Sequence, residues 1–129
     1  MLYQHFTTQE EIDRAYDPMM GRDPLMLVKD WRQRSEASRT RHRVTLDLPY
    51  GPTLAERMDV FHAGNPNAPV HVFFHGGYWR SLSHREFSFI VDDLVDAGIT
   101  VAVVNYALCP QVRFSELVRQ SQAAVVYVY

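Results

Sequence analysis

Residues 70–79 read Val-His-Val-Phe-Phe-His-Gly-Gly-Tyr-Trp, an almost entirely apolar run that ends in His-Gly-Gly and two large aromatic residues. The run follows the loop Asn65-Pro66-Asn67-Ala68-Pro69 and is typical of a strand that is buried on both faces. Gly76 and Gly77 come directly after the strand, and glycine lets the backbone turn sharply and approach a ligand closely. Since α/β folds bind ligands at the carboxyl edge of their parallel strands, we expect the functional site here.

The sequence after this loop predicts a helix, a strand and a second helix. Ser83-His84-Arg85-Glu86 has the spacing of a capping box, and the apolar spacing after it predicts a helix that ends at Gly98. Residues 99–104 predict a second buried strand, joined to the first by a right-handed crossover. A second amphipathic helix is predicted from about residue 114. We expect its apolar residues to face inward, namely Phe114, Leu117, Val118, Val125 and Val128.

The sequence before the loop predicts a helical arm and a β-hairpin. Residues 44–48 and 57–62 alternate between apolar and polar positions, as half-buried antiparallel strands do. A capping box at Thr8-Gln9-Glu10-Glu11 and an N-cap at Asp23-Pro24 predict two helices, the second ending at about Ser38. We expect this arm to pack on the fold, with a lid and a dimer contact as the alternatives.

The order of elements is that of an α/β fold: helical arm, β-hairpin, then β-α-β-α in a mixed, mostly parallel sheet. We expect a single domain over residues 1–129, with the arm over 1–40 and a partial sheet with crossover helices over 41–129.

The composition is that of a globular protein and disfavours several partners. The 129-residue chain has a net charge of −2, which provides no basic surface for nucleic acid. It has no apolar run near the roughly 20 residues that a membrane span requires. Its single cysteine, Cys109, excludes an internal disulfide and suits a reducing compartment. Since the start resembles no signal peptide, we expect a cytoplasmic protein.

The His-Gly-Gly turn after a buried strand is suited to acyl transfer. Backbone N–H groups that such a turn leaves without partners can stabilise the negative charge that develops on a carbonyl oxygen. The alternative interpretation is a tight strand-to-helix turn in which His75 is simply hydrogen-bonded.

The same residues carry a family resemblance. His75-Gly76-Gly77-Tyr78-Trp79 resembles the oxyanion-loop motif of α/β-hydrolases, and its aromatic pair in place of a third glycine is most similar to kynurenine formamidases (arylformamidases). The segment Asn105-Tyr106-Ala107-Leu108-Cys109-Pro110-Gln111-Val112 and the helix at 116–120 are similar to the segments that follow in that family. The resemblance extends from about Tyr50 to the end of the chain.

This resemblance implies a serine hydrolase without a cofactor that converts N-formyl-L-kynurenine and water to kynurenine and formate in tryptophan catabolism. It implies that backbone N–H groups of Gly76, Gly77 and Tyr78 form the oxyanion hole. It also implies that His75 braces the loop and that Tyr78 and Trp79 contact a small aryl formamide or ester substrate.

The sequence departs from this family in lacking a nucleophile. Its serines are Ser35, Ser38, Ser81, Ser83, Ser88, Ser115 and Ser121, and none lies in the Gly-x-Ser-x-Gly motif that this fold uses. The last predicted helix has no glycine stop and no strand after it. We therefore expect the catalytic triad beyond Tyr129 and no activity from this chain alone. Cys109 is a poor substitute because it precedes a proline and the sequence places no histidine beside it.

The other histidines predict no metal site. His5, His42, His62, His71 and His84 lack the close pairings that metal ligands show, and His71 is expected to be a core residue. The Asp92, Asp93 and Asp96 cluster is predicted to be a solvated helix face.

Two alternative functions remain at this point. One is a general carboxylesterase of the same fold, which kinetics on formyl-kynurenine and a short ester would distinguish. The other is a catalytically silent truncated product. Strand 70–74 is expected at an unpaired sheet edge, so we expect self-association, for example as a homodimer.

Overall fold

The computed structural model describes residues 3, 5–17 and 20–129. The chain divides into two compact units, Met1–Asp30 and Trp31–Tyr129. The expected single domain remains a prediction.

Helix α1 (Gln9–Ala15) begins at the predicted capping box, in which the side chains of Thr8 and Glu11 each accept the other residue's backbone N–H. Helix α2 (Pro24–Arg41) begins where Asp23 Oδ1 accepts the N–H of Leu25 at 2.9 Å, as predicted, and ends three residues later than predicted.

The sheet has four strands, β1 (Val44–Pro49), β2 (Arg57–Phe61), β3 (Val70–Phe74) and β4 (Thr100–Val104), in the order β1-β2-β4-β3. The predicted hairpin is present, since β1 and β2 are antiparallel. Strands β3 and β4 are parallel, but β2 and β4 are antiparallel. The prediction of a mostly parallel sheet is therefore wrong. The hairpin joins the sheet through β2, and this adds a second antiparallel pairing.

Strand β3 lies at an edge of the sheet, which changes its burial. Val70 is 47% exposed and His71 is exposed as well, so β3 is not buried on both faces and His71 is not a core residue. An edge strand has one neighbour, and here only its carboxyl half is partly covered. Strand β4 has neighbours on both sides and is buried from Val101 to Val104, as predicted.

The unit Trp31–Tyr129 has a core on each face of the sheet. On one face Met58, Ala102 and Val104 pack with Ala124 of helix α4 (Phe114–Val128). On the opposite face the buried residues are Phe61, Val91, Val101 and Val103. The apolar residues that follow the capping box also pack on this second face, namely Phe87, Ile90, Val91 and Leu94.

The segment after the capping box is not the single helix that was predicted. The box itself is present at Ser83 and Glu86. Two 3-10 helices follow, His84–Glu86 and Ser88–Val91, and then the short helix α3 (Asp92–Asp96). A continuous α-helix would join the N–H of Phe89 to the carbonyl of Arg85. Side chains of α2 bind both groups instead. Ser35 Oγ accepts the N–H of Phe89 at 3.3 Å, and Arg39 donates to the carbonyl of Arg85 at 3.0 Å.

The acidic cluster of α3 is only partly a solvated face. Asp93 is exposed, but Asp92 lies 3.0 Å from His42 Nε2, and Asp92 and Asp96 both pair with Arg41. The cluster therefore ties α3 to the end of α2.

Helix α4 buries a narrower stripe than predicted. Leu117, Gln120 and Ala124 are buried, and Val128 packs against the sheet. The prediction of inward positions is wrong for three residues, whose exposed fractions are 52% for Phe114, 39% for Val118 and 48% for Val125. Positions 117, 120, 124 and 128 follow one helix face, and the other three lie beside it.

No helix in the described part of the chain has both the length and the hydrophobicity to cross a membrane.

An ion pair anchors α4 to the loop before β2. Glu56 is fully buried, accepts a hydrogen bond from Arg119 at 2.7 Å and accepts the N–H of Thr53 at 2.9 Å. Burial alone would raise the pKa of Glu56, but Arg119 and Thr53 hold it below its ordinary value. A Cβ atom at Gly51 would overlap the Glu56 carboxylate, so a larger residue there would displace this carboxylate from its present position.

We predict that Glu56→Gln lowers the free energy of unfolding at pH 7 by about 1–3 kcal/mol, the range for disrupting a buried hydrogen bond. Because the folded-state pKa is depressed, the charge stabilises the fold above the ordinary pKa of 4.5. This stabilisation is lost as the pH falls through the folded-state value. Urea unfolding at pH 7 and pH 4 should therefore give a smaller pH dependence for Glu56→Gln than for the wild type. Glu10→Gln, an exposed change in α1, is the control; equal pH dependence in all three proteins would contradict the prediction.

Candidate oxyanion loop

The backbone turns tightly directly after β3. The carbonyl of Gly77 accepts the N–H groups of Arg80 and Ser81, both at 3.1 Å, and the hydroxyl of Ser81 at 3.0 Å. Gly77 has a φ of 119°, and Tyr78 and Trp79 have φ values of 55° and 60°. Positive φ at residues other than glycine costs on the order of 1–3 kcal/mol and is concentrated at functional sites.

The two glycines are not equivalent. A Cβ atom at Gly77 would overlap the backbone of Ser81, whereas the nearest atom to a Cβ at Gly76 is Phe87 Cζ at 3.9 Å. Gly77 is therefore required by the turn itself. Gly76 has room for a side chain in this chain, so its small size leaves space beside the loop.

The loop leaves backbone donors without partners. Within the residues that the structure describes, the N–H groups of Gly76, Gly77 and Tyr78 make no hydrogen bond. Such groups attract an anion, because each carries a partial positive charge that water or a ligand must satisfy. These are the three residues for which the sequence predicts an oxyanion role.

His75 is locked in place beneath the loop. Its ring is buried, its Nδ1 lies 2.7 Å from the carbonyl of Gly76, and it stacks on Tyr106 at a centroid distance of 4.2 Å. The hydroxyl of Tyr106 donates to the carbonyl of His75 at 2.5 Å. Burial lowers the pKa of His75, so the ring is neutral near pH 7 and Nδ1 donates to Gly76. The side chain is thus placed to hold the turn.

The aromatic pair faces outward. Tyr78 is 81% exposed and Trp79 is 47% exposed. Trp79 meets Phe114 edge to face at 5.2 Å, and its carbonyl accepts the N–H of Cys109 at 2.8 Å. The segment after β4, which the sequence singled out at 105–112, therefore lies against the loop.

The nearby hydroxyls and the thiol are not arranged as nucleophiles. Ser83 Oγ donates to Glu86 at 2.7 Å, and Ser81 Oγ donates to the carbonyl of Gly77. Cys109 is a partly buried free thiol. None of these groups has a histidine as hydrogen-bond partner in the described part of the chain.

Sequence reasoning missed the roles of the two residues directly after β4, Asn105 and Tyr106, which fix the loop after β3 in place. The backbone carbonyl of Asn105 accepts a hydrogen bond from the hydroxyl of Tyr50 at 2.6 Å, and the side-chain amide of Asn105 donates to the carbonyl of Ala55 at 3.0 Å. Tyr106 comes next and braces His75. The available signal was an Asn-Tyr pair at the carboxyl end of a buried strand, where polar residues lie at the ligand-binding edge.

We predict that Gly77→Ala lowers the free energy of unfolding by about 1–3 kcal/mol, because alanine is strained at this φ and overlaps Ser81. Gly76→Ala is the matched control and should change it by less than about 1 kcal/mol. Urea unfolding of the two variants measures the difference. Equal losses would show that the turn does not have this geometry.

Comparison with known proteins finds relatives of this chain by sequence and by fold. No family model matches the sequence. The chain is 32% identical over 130 residues to a kynurenine formamidase of Danio rerio, a match that covers 94% of this chain and 44% of that protein. It is 41% identical over 80 residues to a kynurenine formamidase of Drosophila melanogaster, covering 60% of this chain and 26% of that protein. The chain thus spans less than half the length of these relatives.

Solved structures show the same partial coverage. A predicted thioesterase from Silicibacter sp. TM1040 superposes with a TM-score of 0.83 at 28% identity, over 90% of this chain and 45% of that one. Esterase B from Lactobacillus rhamnosis superposes with a TM-score of 0.62 at 15% identity, over 82% of this chain and 40% of that one. The chain therefore carries part of an α/β-hydrolase fold and is related to the kynurenine formamidases, as its oxyanion-loop motif suggests.

Proposed function

We propose that this chain supplies the oxyanion loop of a serine hydrolase of the arylformamidase type, acting on N-formyl-L-kynurenine. The observation that carries the proposal is the set of unpartnered N–H groups at Gly76, Gly77 and Tyr78, on a turn held by His75. Hydrolysis of a formamide passes through a tetrahedral intermediate with a negative oxygen. Preorganised N–H donors stabilise that charge more than the neutral carbonyl before it, which lowers the barrier.

The aromatic residues of the loop suit an aryl substrate. Trp79, steadied by Phe114, presents an exposed ring beside the donors. A substrate ring stacked there would place its formamide group near the N–H groups. We infer that Tyr78 and Trp79 contribute one side of the substrate pocket and that the rest of the protein contributes the other.

The nucleophile and its two partners belong, in this proposal, to a part of the protein outside residues 1–129. The relatives are more than twice the length of the matched segment. A seryl nucleophile in Gly-x-Ser-x-Gly, followed by an acid and a histidine, is the arrangement that this fold uses. We also propose a cytoplasmic location, on the basis of the single cysteine.

The test joins residues 1–129 to the portion of the Danio rerio relative that the match does not cover. We expect the joined protein to hydrolyse N-formyl-L-kynurenine. Neither part alone should exceed the uncatalysed rate, because each lacks half of the machinery. A joined protein that folds, shown by circular dichroism, but hydrolyses neither formamide nor ester would contradict the proposal.

A carboxylesterase of the same fold is the alternative, and substrate preference separates the two. The joined protein is assayed on N-formyl-L-kynurenine, p-nitrophenyl butyrate and a butyryl thioester. A higher kcat/KM on the formamide supports the arylformamidase assignment. A higher kcat/KM on the ester or the thioester would replace it, the thioester being of interest because of the Silicibacter structure.

We predict that Trp79→Ala in the joined protein lowers kcat/KM for N-formyl-L-kynurenine by about two- to tenfold, the equivalent of one aromatic contact. The loss should be smaller on ethyl formate, which has no ring to stack. Leu54→Ala, which removes a side chain at an 89% exposed position, is the control. An equal loss on both substrates would mean that Trp79 does not contact the aryl group.

A further inference from the structure

Three side chains from separate elements converge on the sheet face opposite α4. They are Asp47 of β1, Asp59 of β2 and His84, the first residue of the first 3-10 helix. One ligand atom from each lies within 4.8 Å of the others. We refer to these residues as the Asp-Asp-His triad. It is the one such group of three among the residues that the structure describes.

His84 is buried without a hydrogen-bond partner. Its side chain is 5% exposed, and neither ring nitrogen makes a hydrogen bond in the described structure. Nε2 points between two carboxylates, 3.4 Å from Asp59 Oδ1 and 3.7 Å from Asp47 Oδ1. A buried polar group without a partner costs free energy, so its orientation toward two anionic oxygens requires an explanation.

A distortion of the backbone of β1 brings Asp47 close to Asp59 and His84. The β1–β2 register shifts between Thr45 and Leu48, which is a β-bulge opposite Asp59. Asp47 has a φ of 51°, and its N–H donates to Asp59 Oδ1 at 2.9 Å. Without the bulge, strict alternation along β1 would change which face of the sheet Asp47 and its neighbours occupy.

The second carboxylate oxygen of Asp47, Oδ2, also makes a hydrogen bond. Arg85 donates to Asp47 Oδ2 at 2.7 Å, so Oδ1 is the oxygen that faces His84. Ligand carboxylates in metal sites are commonly oriented by such hydrogen bonds. Arg85 and Arg39 line the cleft of about 440 Å³ that reaches the triad, together with Glu36 and Leu46. The positive charge of these arginines opposes cation binding, so the carboxylates of Asp47 and Asp59 must outweigh it.

The geometry points to a divalent metal site formed by His84 Nε2, Asp59 Oδ1 and Asp47 Oδ1, of the class that binds Zn²⁺. One imidazole nitrogen with two carboxylate oxygens is a donor set that Zn²⁺ accepts, and tetrahedral bonds of about 2.0–2.1 Å separate the donors by about 3.4 Å. The two distances from His84 are close to that value. Asp47 is half exposed, so water from the cleft completes the coordination.

A second histidine shows why pairing matters here. His42 Nε2 also lies near a carboxylate, Asp92, but at 3.0 Å and in hydrogen-bonding geometry. Asp92 is shared with Arg41 as well. That cluster is an ordinary ion-pair network with a direct hydrogen bond to the imidazole, whereas His84 has two carboxylates in ion-pair range and no hydrogen bond to either.

The test titrates Zn²⁺ into the 129-residue chain after removal of metal with a chelator, using isothermal titration calorimetry. We expect one ion per chain. His84→Gln and Asp59→Asn should each weaken binding by about tenfold or more. His71→Gln and Asp93→Asn change the same residue types at exposed positions outside the triad and should leave binding within about twofold.

Two results would overturn the proposal. One is the absence of Zn²⁺ uptake by the wild-type chain at about 1 mM, a concentration at which even weak extracellular Ca²⁺ modules bind their ion. The other is uptake that His84→Gln and Asp59→Asn leave unchanged. Should either variant fail to fold, NMR of the wild-type imidazoles decides: Zn²⁺ must shift the His84 resonances and leave those of His71 in place, and unshifted His84 resonances would overturn it.

Discussion

The hydroxyl of Tyr106, bonded to the carbonyl of His75, is the contact on which the candidate site depends. It joins the residue after β3 to the residues after β4 at the edge where the parallel pair ends. The nearly parallel rings of the two residues, 4.2 Å apart, remove the freedom of His75 to rotate. With His75 fixed, its Nδ1 holds the carbonyl of Gly76, and the peptide groups that follow are fixed in turn.

The same end of β4 also holds the surrounding elements. Asn105 connects to the hairpin through Tyr50 and Ala55 and accepts the N–H of His84 at 3.4 Å. The start of the 3-10 segment, and with it the Asp-Asp-His triad, is therefore attached to the residue that precedes Tyr106. A metal ion at the triad would stiffen the segment that leads away from the oxyanion loop. The loop is thus held at its start by Tyr106 and near its end by His84.

Much of the fold could be predicted from local patterns, and the failures share a cause. The capping boxes, the hairpin, the buried β4 and the oxyanion-loop motif depend on residues close together in sequence. The exposure of Val70 and His71 in β3 and the division of 83–98 into 3-10 helices depend on parts of the chain that are distant in sequence, such as Ser35 and Arg39 of α2 for the 3-10 helices. Likewise, no spacing rule could have joined Asp47, Asp59 and His84, because a bulge in β1 brings them together. The N–H groups of Gly76, Gly77 and Tyr78 have no partners because of the backbone φ angles in this turn, and the sequence motif does not specify those angles.

The most direct test of this account compares Tyr106→Phe with Tyr127→Phe in the joined protein proposed above, which combines residues 1–129 with the uncovered portion of the Danio rerio relative. Both changes remove one hydroxyl, from a buried tyrosine in the first case and from a 49% exposed one in the second. If the Tyr106 bond aligns the oxyanion donors, Tyr106→Phe lowers kcat for N-formyl-L-kynurenine by about tenfold or more, with little change in KM. Tyr127→Phe should leave both constants unchanged. An unchanged kcat in Tyr106→Phe would contradict the account, because the donors would then be aligned without this bond.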